Sequence, residues 1–279
     1  MNNFSSSNNF TFFDIMRYRK VFKRIILLGC IIQLHFFSFA QENNPPRLKK
    51  EKFPSYFGLQ FKPLIPGDFL GKSTTEVQDE QLYAKFTQKF GYSFGASVRI
   101  GLTKLISLET GISLVQRNYA IDFAIADSNL YAKNTFGIIN YDIPLNLLIY
   151  IQLSDKLFMN TSVGGSFIYN PTNVATKLVL DKGHAFIHEG RRTSKGAFEF
   201  NANVGMEWRS EKSGIFYVGL TGKVPFKPIF DVAAIYTKGS YTKIATGSIV
   251  GSYLSLDFRY YLPNIAPKGK QFIHGPIEQ

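Results

Sequence analysis

Two histidines four residues apart, His184 and His188, stand in one stretch with Glu189 and Ser194. Imidazole, carboxylate and hydroxyl are the parts of a nucleophilic hydrolase, in which the base takes the serine proton and the acid orients the base. The His-x-x-x-His spacing also suits a divalent metal, but no third ligand is evident. The same stretch carries Lys182, Arg191, Arg192 and Lys195. These cations could pair with the phosphates of lipopolysaccharide, to which Arg presents a fork of donors. An ordinary solvated loop explains all of these residues more simply. The segment Arg47 to Lys52 is basic too, but it follows Pro45 and Pro46 without interleaved aromatics. It reads as a tether, so no nucleic-acid partner is expected. No phosphate-cradling glycine loop, dinucleotide fingerprint or zinc-type cysteine set occurs, and no cofactor is expected.

A second set of ionisable residues is scattered: Arg99, Glu109, Glu199, Glu207, Arg209, Asp257 and Arg259. What they share is parity. Eight segments alternate with period two, the spacing of a strand and not of a helix. They are Tyr56 to Pro63, Phe90 to Thr103, Ile106 to Leu114, Ile139 to Ile151, Leu157 to Tyr169, Phe198 to Arg209, Phe216 to Val224 and Val250 to Leu262. In the second, Phe90, Tyr92, Phe94, Ala96, Val98, Ile100 and Leu102 form one row against Gly, Ser, Arg99 and Thr103. None of the eight apolar rows contains an ionisable residue. The charges fall in the opposite rows, with most of the Gly, Ser and Asn.

A soluble sandwich turns its apolar face inward, but here that face is too long and too uniform. An all-β, antiparallel, up-and-down transmembrane barrel fits, because lipid demands an apolar exterior while a closed sheet satisfies every backbone group. Mean hydropathy of −0.05 is then the average of two rows, and 27 Phe with 15 Tyr serve the lipid face. Phe57, Trp208, Phe216 and Tyr260 fall near one set of strand ends, and Phe90, Tyr141, Tyr169 and Phe198 near the other. A polytopic helical protein is excluded, since beyond residue 40 no stretch approaches the ~20 apolar residues a spanning helix needs. Connections alternate between short turns, around Lys104, 154–156 and 210–214, and long extracellular loops, at 64–89, 116–137, 170–197 and 225–248. Eight strands are expected. Several long loops still alternate, so hairpins above the membrane, or a fifth membrane pair making ten strands, are the alternatives. An eight-stranded lumen is nearly filled by side chains, and charges there must pair. The scattered set is therefore expected to form a network closing the lumen.

Residues 17–40 combine a basic cluster, an apolar run from Ile25 to Phe39, and Ser38 and Ala40 at the positions a signal peptidase reads. Cleavage is expected between Ala40 and Gln41, with Met16 an alternative start. The removed segment holds five basic residues, one acid and the sole cysteine, Cys30, so the chain's +12 falls to +8. The expected organisation is a signal peptide at 1–40, a periplasmic tether at 41–55, a barrel at 56–262 and a periplasmic tail at 263–279.

The signal ending in Phe39-Ala40-Gln41, the stretch Tyr141 to Tyr150, Val163-Gly-Gly165, Phe198 to Glu207 and Leu256 to Tyr261 together resemble the PorT-like outer-membrane β-barrel family, alongside small OmpA/OmpX-type barrels. The resemblance implies a Gram-negative outer membrane and a non-catalytic role in envelope structure, surface contact or protein secretion. The partners expected are outer-membrane lipid, lipopolysaccharide, the barrel-assembly machinery and envelope or secretion proteins. A small-solute channel, or a lipid-A-modifying enzyme built on the histidine stretch, are the competing readings.

Overall fold

The computed structural model describes residues 55–263, apart from 69, 104, 127–129, 211–212 and the side chain of Lys182. The signal segment with its Ala40–Gln41 junction, the tether as far as residue 54 and the tail beyond 263 lie outside the described residues. Eight strands form a closed antiparallel ring: β1 (Ser55–Ile65), β3 (Leu82–Gly101), β4 (Ile106–Ile125), β5 (Leu130–Gln152), β6 (Leu157–Tyr169), β9 (Gly196–Ser210), β10 (Gly214–Pro225) and β13 (Tyr253–Tyr261). Each pairs with its neighbours in the order β1-β13-β10-β9-β6-β5-β4-β3. The ring closes where β1 pairs with β3, from Ser55↔Ile100 to Leu64↔Gly91.

Around this barrel the apolar rows face outward. Leu59, Phe94, Ile112, Leu145, Val163, Val204, Val218 and Phe258 are all exposed, whereas their polar sequence neighbours are buried. Such an exterior suits lipid and not water, so the barrel is a transmembrane one. On β5 the outward row runs from Ile139 to Ile151. At ~3.4 Å per residue and a tilt of about 40°, it spans roughly 30 Å, the thickness of a bilayer core. At the end with the short turns, Trp208, Phe216 and Tyr260 form an aromatic belt, with ring centroids 6.5 and 5.0 Å apart in succession. Phe90, Tyr141, Tyr169 and Phe198 are exposed at the far end.

At the far end the long connections are not loops but hairpins that rise above the barrel, the alternative read from their alternation. The spans 64–89, 116–137, 170–197 and 225–248 are largely strand. β3, β4 and β5 continue well past the barrel, β2 (Thr74–Asp79) pairs with the top of β3, and β7 (Val174–Val179), β8 (His184–Arg192), β11 (Phe230–Lys238) and β12 (Tyr241–Ile249) form a second sheet in the order β12-β11-β8-β7. Together they make a cap around a dry core that includes Leu82, Phe86, Tyr119, Ile121, Phe123, Phe136, Phe186, Phe230 and Tyr236. Above the barrel, therefore, apolar side chains turn inward and polar ones outward.

Three adjacent strands achieve this inversion at one level. On β4 odd-numbered residues face inward throughout, and the apolar row moves from even positions up to Leu114 to odd ones from Val115. On β5 even positions face inward throughout, and the switch falls between Ile138 and Ile139. β3 keeps its apolar residues on even positions but changes which way they face. A bulge between Lys89 and Tyr92 sets two residues, Phe90 and Gly91, against Arg117 alone. The extra residue reverses the pleat, so that Leu82, Ala84 and Phe86 point in while Phe94 and Val98 point out. Gly91 is required there, because a Cβ would stand 2.2 Å from the Gln116 carbonyl oxygen.

Candidate functional site: the closed lumen and the cap above it

Inward-facing positions of seven of the eight barrel strands deliver charge to the lumen, and β6 contributes Asn160, Ser162 and Ser166. Among the described residues, six cations (Lys62, Arg99, Arg117, Arg209, Lys223 and Arg259) and five carboxylates (Glu109, Asp142, Glu199, Glu207 and Asp257) are buried there. Near the turn end they form one continuous chain. Arg209 pairs with Glu207, which lies 2.6 Å from Arg99. Arg99 meets Glu109 at 3.2 Å, Glu109 meets Arg259 at 2.5 Å, Arg259 meets Asp257 at 2.5 Å, and Asp257 meets Lys62 at 3.5 Å. A second cluster lies toward the cap. Arg117 is 2.5 Å from Glu199, which is 3.9 Å from Lys223, and Lys223 pairs with Asp142.

Aromatic rings fill the space between these groups. The guanidinium of Arg209 lies 3.9 Å from the Phe158 ring centre, Arg99 4.1 Å from Tyr261, Arg259 4.8 Å from Tyr217 and Arg117 5.0 Å from Tyr253. Tyr217 fits because Gly205 and Gly219, cross-strand partners, lie beneath it; a Cβ on either would fall within 2.5 Å of the phenol oxygen. Asn203 receives the Tyr217 hydroxyl at 2.5 Å and donates to Asp257 at 3.3 Å. Ser166, Asn201 and Asn146 are linked by further bonds of 2.8 to 3.1 Å.

All seven scattered residues of the sequence reading thus lie in the lumen: six belong to the turn-end chain, and Glu199 belongs to the cluster toward the cap. Four further members were missed. Lys62, Asp142 and Lys223 stand on the inward rows of their strands and could be found by parity alone. Arg117 fell in a span read as a loop.

The histidine stretch is not a loop. His184, Phe186 and His188 form the inward row of β8, and His184 Nδ1 lies 2.7 Å from the Tyr236 hydroxyl. His188 is fully buried, its ring 4.2 Å from Phe136 and 5.4 Å from Phe86, and neither ring nitrogen has a hydrogen-bond partner. Burial in this apolar core pushes its pKa down to about 4. Glu189 pairs at the surface with Arg191 at 3.3 Å, and the Ser194 hydroxyl accepts the Gly196 amide. Base, acid and hydroxyl therefore engage different partners. No group of three potential ligands is arranged to hold a metal among the described residues.

The basic residues grouped with them separate as well. Arg191 is exposed beside Glu189. The Arg192 guanidinium donates to the carbonyls of Pro171 and Asn170. Lys195 is exposed at the head of β9, and the side chain of Lys182 is outside the described residues.

No family model matches the chain, and no curated protein does. The chain is similar to the outer membrane protein OprG from Pseudomonas aeruginosa, at 13% identity and a TM-score of 0.48 over 76% of this chain and 97% of that one. It also aligns with the translocator domain of the autotransporter NalP from Neisseria meningitidis, at 10% identity and a TM-score of 0.25 over 87% and 97%. The transport unit of the autotransporter AIDA-I from Escherichia coli gives 10% and 0.24 over 79% and 92%. The barrel itself rests on the strand order and closure described above.

Proposed function

We propose that this chain is a non-catalytic integral protein of a Gram-negative outer membrane, with a closed lumen and a folded cap on the cell surface. It acts in envelope structure, surface contact or protein secretion. The observation that carries the reading is the unbroken series of ion pairs from Arg209 to Lys62 across the lumen, beneath the apolar interior of the cap. A conducting pore needs a hydrated path, and neither layer offers one: in the first every charge has a partner, and the second is dry. Short turns at one end and the cap at the other suit a barrel whose turns face the periplasm. The outward-facing polar row of the cap is the surface left free to meet a partner, which is why a contact or secretion role is favoured over transport.

Planar-bilayer recording on purified, heat-modifiable protein tests this. Conductance at or near the baseline is expected; stable open-channel steps in most insertions would overturn the reading in favour of a small-solute channel. On intact cells, protease should reach the cap alone.

A further inference from the structure

The tops of β6, β9 and β10 form a corner where exposed aromatics meet unpaired cations. Phe198 and Phe226 are 62% and 70% exposed, and Phe167 packs against Phe198 with ring centroids 5.6 Å apart. The Phe226 amide donates to the Phe198 carbonyl at 3.0 Å, which draws the chain after β10 against β9. Three cations stand at this level. Lys227 follows Phe226 directly. Lys195 lies three residues before Phe198, and its carbonyl accepts the Asn170 amide at 2.8 Å. Arg192 is anchored to the Asn170 and Pro171 carbonyls. These bonds hold the guanidinium in place without neutralising it. None of the three pairs with a carboxylate among the described residues, whereas Arg191, one residue from Arg192, is satisfied by Glu189.

We infer that this corner binds the phosphorylated head of an anionic glycolipid in the outer leaflet. The inference rests on the membrane reading above. Acyl chains would lie on Phe167, Phe198 and Phe226, at the upper edge of the apolar belt, and the phosphates would meet Lys195, Lys227 and Arg192. Ammonium and guanidinium groups make their strongest hydrogen bonds to such anions. At the lipid boundary these bonds are less screened than they would be in open solvent. Charge complementarity selects this occupant over a neutral or zwitterionic lipid. The assignment differs from the one drawn on sequence alone: Arg191 leaves the set, Lys182, whose side chain is outside the described residues, is not part of it, and Lys227 joins it.

The test is native mass spectrometry of the full chain in detergent, titrated with bisphosphorylated lipid A. The Lys195→Gln/Lys227→Gln double variant should bind at least about tenfold more weakly than wild type, equivalent to ~1.4 kcal/mol. Lys238→Gln, at the end of β11, should bind as wild type. Dephosphorylated lipid A should bind wild type no better than phosphorylated lipid A binds the double variant, and inorganic phosphate should not displace the lipid. Equal binding by the double variant and wild type, or by the two lipids, or displacement by phosphate, would overturn the inference. A wrong membrane reading would register separately, as a folded chain that stays in solution without detergent.

Discussion

Glu109 accepts hydrogen bonds from Arg99, from Arg259 at 2.5 Å and from the Tyr261 hydroxyl at 2.6 Å, so both halves of the turn-end network pass through one carboxylate. Removing one partner of a buried ion pair leaves an uncompensated charge, at a cost of about 3–5 kcal/mol. Glu109→Ala should therefore lower the midpoint of urea unfolding in lipid vesicles far more than Tyr217→Phe, which forfeits one hydrogen bond to the neutral Asn203 amide, roughly 1 kcal/mol. Similar shifts for the two would mean that the carboxylate is not the hub. His188 presents the opposite case, a titratable group buried with no partner at all. Its folded pKa of about 4 lies below the 6.5 of a free histidine, so the unfolded cap binds a proton that the folded cap refuses. Nothing is lost above pH 6.5. Stability falls as the pH drops from about 6.5 towards 4, by up to about 3 kcal/mol. His188→Phe should flatten that part of the melting curve of the cap, followed by near-ultraviolet circular dichroism, relative to wild type. A variant as acid-sensitive as wild type over that range would show that the sensitivity resides in other groups.

At the level of the strand, the controlling device is the bulge that sets Phe90 and Gly91 against Arg117. Because side chains alternate strictly, a one-residue slip carries a whole row to the other face. Deleting Gly91 should leave the eight-stranded barrel heat-modifiable, while Leu82, Ala84 and Phe86 turn to solvent and Lys85, on the outer face of the intact strand, is driven into the apolar core, so that the cap loosens and trypsin cuts within it. A cap still resistant to trypsin would show that the bulge does not set the facing of β3. The same arithmetic explains what could be read in advance. The barrel rows were legible because each keeps one parity between its girdles, and the lumen charges followed from that parity. Of the cap, hairpins showed in the alternation of the long loops, but their continuity with the barrel and the apolar core did not, because on β4 and β5 the apolar residues change parity at Leu114/Val115 and Ile138/Ile139 without any turn residue. A change of phase in the sequence looks like the end of a strand, whereas here it marks the point where a continuous strand leaves lipid and enters a water-facing domain. Arg117 was lost with it, since it lies just beyond the switch. His188 was misplaced for a related reason: β8 is short, and its inward row of His184, Phe186 and His188 is too polar to stand out from a solvated loop.

For the molecule as a whole, two seals of different chemistry lie in series along one axis. The lower is ionic and relies on matched charges from seven of the eight barrel strands; the upper is apolar and relies on the second sheet packing against the extended β3, β4 and β5. Breaking one should not open the other, since the two share few groups. Arg117 and Tyr119 are the main points of adjacency, with Tyr119 stacked on Phe136 at 5.3 Å and Phe136 in turn on His188. A barrel in which Arg99, Glu109, Glu207 and Arg259 and, in the cluster toward the cap, Arg117, Asp142, Glu199 and Lys223 are all replaced by Ser removes the core of both charge clusters and hydrates the lumen, yet it should remain non-conducting beneath an intact cap. Replacing residues 172–193 by a short turn takes β7 and β8 out of the cap, and with an intact ionic network that variant should also stay closed. Only the combination should give single-channel steps in planar bilayers, because only then does a hydrated path run end to end. Opening by the eightfold Ser variant alone would mean that the cap is permeable and that the ionic clusters are the sole barrier; opening by the cap variant alone would assign that role to the cap.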